Sequence, residues 1–149
     1  MVTHTIGAAI VTHPADWRLV AGPNRPADGR AVPDAYLANI PITVVPCPSF
    51  RDDGTYAGCV PPTDELPAGG VLVSLSPNLG LSELIPPLVS VTAPTASCQS
   101  IGGERSILAV ATGLVVEACL RGPGLDQSET QVRAAVASMA WSPGPSVLK

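Results

Sequence analysis

The chain has 149 residues, enough for one domain with a single core. Its formal net charge is −4 and its sequence pI about 4.9, with no basic stripe, so the electrostatic footprint of a nucleic-acid binder is missing. Only 13% of residues are charged, which leaves few groups for acid–base chemistry, while 46% apolar residues argue against disorder.

With two tryptophans, two tyrosines and one phenylalanine, the core must be built from Val, Leu, Ile and Ala. The opening run "HTIGAAIVTHP" alternates loosely and is β-branched, which predicts a strand over 5–12 ended by Pro14. "ADWRLVAG" reads as a turn and a short strand over 17–21. "PNRPADGRAVPDA" is a loop with a Pro-Ala-Asp-Gly turn signal. "YLANIPITVVP" predicts a strand over 36–45, with Pro41 marking an edge or a break. Thr63 reads as an N-cap of one helical turn carrying Asp64 and Glu65. "GVLVSLSP" predicts a strand with Val71, Val73 and Leu75 on one face. "LSELIPPL" reads as a helical turn stopped by Pro86-Pro87, and "LVSVTAPT" as a strand.

"RSILAVATG" and "LVVEACLRG" read as a hairpin about Gly113. Either Leu108 and Val110 or Ile107 and Ala109 face the core. A helix is predicted over 127–140, with Ser128 and Gln131 as a capping box. Its apolar stripe is Val132, Ala135, Val136, Met139 and Ala140. The order of elements predicts an α+β fold, an antiparallel sheet with the C-terminal helix packed on one face. Residues 1–142 are expected to form a single domain and 143–149 a flexible tail. No apolar run of about 18 residues occurs, and the N-terminus has neither a basic n-region nor a long h-region.

Four cysteines, Cys47, Cys59, Cys98 and Cys119, allow three connectivities. No CxxC pair occurs, and neither His4 nor His13 makes a metal-ligand spacing with a cysteine. An even count in a proline-rich, lysine-poor domain favours disulfides. Cys47 with Cys59 closes a polar loop, at about 3 kcal/mol in the chain-entropy model. Cys98 then pairs with Cys119 across two predicted strands. Four reduced thiols packed as small apolar groups are the alternative.

"IVTHPADWRLV" resembles the strand–Pro–x–x–Trp–strand lead-in of PsbP-like domains. Taken with "GCVPP", "ELPAGGVLVSL", "SILAVATGLVVEACL" and "QVRAAVASMAW" in this order, the chain is similar to small actinobacterial extracytoplasmic domains of unassigned function. The resemblance covers most of the chain. It implies a PsbP-like α/β sandwich in which the chain turns after Pro14 and Trp17 packs under the sheet. It also implies an upstream helix or lipid anchor, which this sequence does not carry, and it brings no catalytic residues.

His13, Asp16 and Trp17 form a polar–aromatic cluster that reads either as a pocket wall or as an Asx turn over a core tryptophan. Asp34, Asp52 and Asp53 are oxygen donors, but without EF-hand spacing they read as solvated turns. "IGGERS" matches no phosphate-binding loop and reads as a turn. Glu117 and Arg121 share a strand face with Cys119 and are expected to point to solvent near a sheet edge. A nucleophile pair of Cys59 with His13 would leave no local signature, and disulfide pairing of Cys59 is the expectation over it. The expectation is a non-enzymatic extracytoplasmic binding or interaction domain, secreted or anchored at the cell surface. No metal or cofactor is expected, and the partner is an unknown protein or a small apolar ligand. The alternatives are a ligand-sensing domain of a membrane-anchored protein and a hydrolase with an unrecognised site.

Overall fold

The computed structural model describes residues 1–6, 9–23, 33, 35–46, 60–77, 88–111, 114–138 and 140–141. In chain order the elements are β1 (Val2–Ile6), β2 (Ala9–His13), β3 (Arg18–Ala21), β4 (Ala35–Ala38), β5 (Val71–Pro77) and β6 (Leu88–Thr92). Then come α1 (Ala96–Ser100), β7 (Arg105–Ala111), β8 (Leu114–Leu120), α2 (Leu125–Ala137) and β9 (Ala140–Trp141). A six-stranded sheet runs β3-β4-β5-β8-β7-β6 and a three-stranded sheet runs β1-β2-β9. Every pairing is antiparallel. Helix α2 packs on β2, β7 and β8 and so couples the two sheets. The expected α+β class holds, with a second sheet that the sequence reading did not separate.

Each face of the large sheet carries a buried cluster. One face carries Leu37, Val71, Val73, Leu75, Ile107, Ala109, Val116, Ala118 and Leu120. Against it lie Val11, Trp17, Val132 and Val136. Pleating sends the alternate residues Tyr36, Ala38, Leu72 and Cys119 to the other face, where Leu66, Cys98 and Ile101 cover them. The hairpin register follows from this. Ile107 and Ala109 are buried, opposite Ala118 and Val116, and Leu108 is the residue that turns away.

Several expected boundaries move. The run over 5–12 is two paired strands, with Ile6 opposite Ala9. The strand expected over 36–45 stops at Ala38. There the Asn39 side chain takes over the ladder: Oδ1 accepts from Val71 N–H at 2.7 Å, and Nδ2 donates to the Gly69 carbonyl at 3.0 Å. Pro41 has no N–H to continue it. Ile40, Ile42 and Val44 keep the alternation by packing half-buried on the second cluster. Thr63 caps no helix: its hydroxyl donates to the Glu65 carbonyl at 3.0 Å, and Asp64 and Glu65 are exposed. Helix α2 begins at Leu125 after Gly124, whose φ of 87° sets the break. Ser128 is therefore no cap: it is buried inside the first turn, and its N–H donates to the Gly124 carbonyl at 2.9 Å. Val132, Ala135 and Val136 form the buried stripe as expected, whereas Ala140 belongs to β9 and Met139 lies outside the described residues. Also outside them are most of "LSELIPPL", the aspartates at 34, 52 and 53, the pair Cys47 and Cys59, and the tail 143–149.

Arg105 on β7 anchors α2 from outside. Its Nη1 reaches Glu129 at 2.7 Å and Asp126 at 3.0 Å, and Glu129 in turn accepts from Arg133 at 3.0 Å. These carboxylates, Asp126 first, raise the Arg105 pKa and hold the guanidinium charged. No helix among the described residues is long and apolar enough to cross a membrane.

Candidate functional site

The lead-in tryptophan is a core residue. Trp17 is 3% exposed, and its N–H donates to the Pro14 carbonyl at 3.1 Å. That backbone bond closes the turn that carries the chain from β2 in the small sheet to β3 in the large one. Asp16 is exposed at the turn. His13 is buried beside it, with Nδ1 donating to the Pro14 carbonyl at 2.8 Å. The cluster of His13, Asp16 and Trp17 is thus a built turn over a core ring, and none of the three lines either of the two clefts described below.

The site lies on the other face of the large sheet. Thr95 begins α1: its hydroxyl oxygen accepts from Cys98 N–H at 3.3 Å. The helix ends in a Schellman motif. Gly103 N–H donates to the Cys98 carbonyl and Gly102 N–H to that of Gln99, both at 2.9 Å, with Gly102 at a φ of 84°. Cys98, expected on a strand, is therefore on a helix. It is disulfide-bonded to Cys119 of β8, with 5.4 Å between the Cα atoms. The expected pair holds, but it joins a helix to a sheet face.

Gly103 explains "IGGERS". A Cβ there would overlap both Cys98 Sγ and Cys119 Sγ. Its φ is not in the left-handed region, so glycine is demanded by the two sulfurs first, with the Cys98 carbonyl oxygen at 3.0 Å a lesser contact, and not by backbone conformation. Gly103→Ala should cost about 1–3 kcal/mol, the scale of overpacking. Removing both sulfurs, with Cys98→Ala and Cys119→Ala, should itself cost about 3 kcal/mol. In that background the alanine at position 103 should cost less than about 1 kcal/mol, because its steric partner is gone. Urea melts of the four proteins measure the cycle. Equal cost in both backgrounds would mean that the sulfurs do not set the requirement.

Beside the disulfide, a groove of about 310 Å³ opens along the sheet face. Tyr36, Leu72, Ser74, Glu117 and Cys119 form its floor. Ser97, Ser100 and Ile101 of the α1 segment form one wall, and Pro33, Val60, Pro61 and Pro62 the other. Glu117 is not at an edge, as the sequence reading expected. It sits on a central strand between Ser74 of β5 and Leu108 of β7. A carboxylate half-buried there is expensive unless bonded. Its Oε2 accepts from Thr95 Oγ1 at 2.6 Å and from Ser97 Oγ at 3.2 Å. The short first bond is that of a charge-assisted pair. Burial raises the Tyr36 phenol's pKa, so it stays neutral at the groove floor.

Arg121, expected beside Glu117, is drawn away, its Nη1 donating to the Leu66 carbonyl at 2.6 Å. It lines a second, more open cleft with Arg105, Glu104 and the cis Gly122-Pro123 step. Among the described residues no group of three or more His, Cys, Asp or Glu could hold a metal ion.

Glu117, Ser97 and Tyr36 were not among the expected site residues, yet they line the groove. One signal was present. Glu117 has the same strand parity as Cys119, so a paired Cys119 implied a covered face. No protein-family model, curated protein or solved structure matches the chain.

Proposed function

We propose that this is a non-enzymatic extracytoplasmic binding domain whose site is the groove between α1 and the large sheet. The observation that carries the reading is the groove's make-up: a largely apolar surface that carries three serine hydroxyls, a phenol and one hydrogen-bonded carboxylate. Its volume is at the small end of ligand sites, which run from about 300 Å³ upward. Small, largely apolar molecules suit it better than a protein surface does. The serines in it bond to Glu117 or to helix backbone, and no described histidine lines it, which favours binding over nucleophilic chemistry. The Cys98–Cys119 disulfide supports the compartment, since such bonds persist where the surroundings oxidise. The PsbP-like resemblance agrees with both parts of the reading. A sensing role would use the same groove and add a membrane partner.

Methyl-resolved NMR tests the site. Uncharged apolar fragments such as 1-hexanol should shift the Leu72 and Ile101 methyls saturably. Ser74→Phe, which fills the floor, should abolish those shifts in a protein that still melts cooperatively. Shifts scattered over the surface, or unaffected by Ser74→Phe, would contradict it.

A further inference from the structure

Building on the groove as the binding site, we propose that it selects small organic ammonium compounds: an apolar body bearing one protonated amine. Glu117 is the sole charged residue among the described residues that line it. Arg105 and Arg133 are tied to Asp126 and Glu129, Arg121 is bonded to Leu66, and Arg18 on β3 does not line the groove, so no cation among the described residues is paired with Glu117. Two hydroxyls occupy part of the carboxylate's capacity, which extends to about four lone-pair sites.

The neighbouring hydroxyls point the same way. Ser74 donates its proton to the Glu117 carbonyl at 3.4 Å, Ser97 to the Glu117 carboxylate at 3.2 Å, and Ser100 to the Ser97 carbonyl at 2.7 Å. With those protons committed, the three oxygens offer the groove lone pairs. Tyr36, neutral and able to accept as well as donate, does not oppose them. An ammonium group, three donors and no acceptor, is the complement of such a surface. A carboxylate ligand would meet a like charge. An inorganic divalent cation would find one carboxylate where it wants six or more oxygens. The apolar remainder, Leu72, Ile101 and the proline wall, calls for a hydrocarbon or aromatic body on the amine.

Three probes share one body and differ only in charge: 2-phenylethylammonium, 2-phenylethanol and phenylacetate. Titrations followed at the Leu72 and Ile101 methyls should rank them in that order. The ammonium should bind about tenfold tighter than the alcohol, the gap between a charged and a neutral hydrogen bond. Glu117→Gln keeps an oxygen for Thr95 and removes the charge. It should erase the preference of the groove for the ammonium over the alcohol. Equal affinities for ammonium and alcohol in the unaltered protein, or tighter phenylacetate, overturn the ammonium assignment while leaving the groove as a binding site. Silence of the groove methyls toward all three overturns both. The unaltered protein decides these outcomes even if Glu117→Gln does not fold.

Discussion

Trp17→Ala should lower the unfolding free energy by about 3–5 kcal/mol, the usual cost of truncating a buried aromatic. The ring is 3% exposed within the core that Val11, Leu37, Val132 and Val136 share. Its backbone is already committed, because the Trp17 N–H to Pro14 carbonyl bond fixes the turn. The indole therefore reaches the core without a further loop to order, and the cavity left by alanine has little means of collapsing. The position also matters for topology. It is where the chain leaves the three-stranded sheet for the six-stranded one, so losing the ring loosens one layer from the other. A urea melt followed by far-ultraviolet circular dichroism measures the loss. A change below about 1 kcal/mol would place the ring outside the core.

Val136→Asp is the second, and it should leave no cooperative melt at neutral pH. Val136 is 3% exposed on the stripe of α2 that faces the sheet, with Val132 one turn before it. A lone carboxylate there costs about 4 kcal/mol or more, a large share of the stability of a domain this size. The sign of its pH dependence follows. Burial raises the introduced carboxyl's folded pKa above the unfolded value near 4, so the penalty is absent below that value and grows as pH rises toward the folded one. Acidification should recover part of the variant's stability relative to the unaltered protein at the same pH. Ala134→Asp, on the exposed side of the same helix, should cost within about 0.5 kcal/mol. Comparable losses at the two positions would contradict the helix register.

Local patterns carried much of the fold. Alternation placed Val71, Val73 and Leu75 on one face, and helical spacing put Val132, Ala135 and Val136 on one stripe, because those periods are properties of the backbone itself. Pro14 and Trp17 marked the turn and the core ring. Where the end of β4 moved, a contact distant in sequence intervened. Asn39 ends β4 by bonding to Gly69 and Val71, thirty or so residues on. Gly124, with a positive φ, starts α2 ahead of the apparent capping box.

By itself the sequence determined the class of fold, the core built from small aliphatic residues and the buried stripe of α2, while the pairing of Cys98 with Cys119 was one of three connectivities it allowed, chosen by the fold. Tertiary structure alone decided what Glu117 does. In "LVVEACL" a glutamate at an alternate position reads as a solvent-facing residue, since the period of two says only that it opposes Val116 and Ala118. Its surroundings come from elsewhere in the chain: hydroxyls from α1, a phenol from β4, prolines from the segment before β5. Pleat and spacing are set by each residue's own neighbours, but the environment of a side chain is set by which distant segments the fold lays across it, and that makes a surface carboxylate into the floor of a groove.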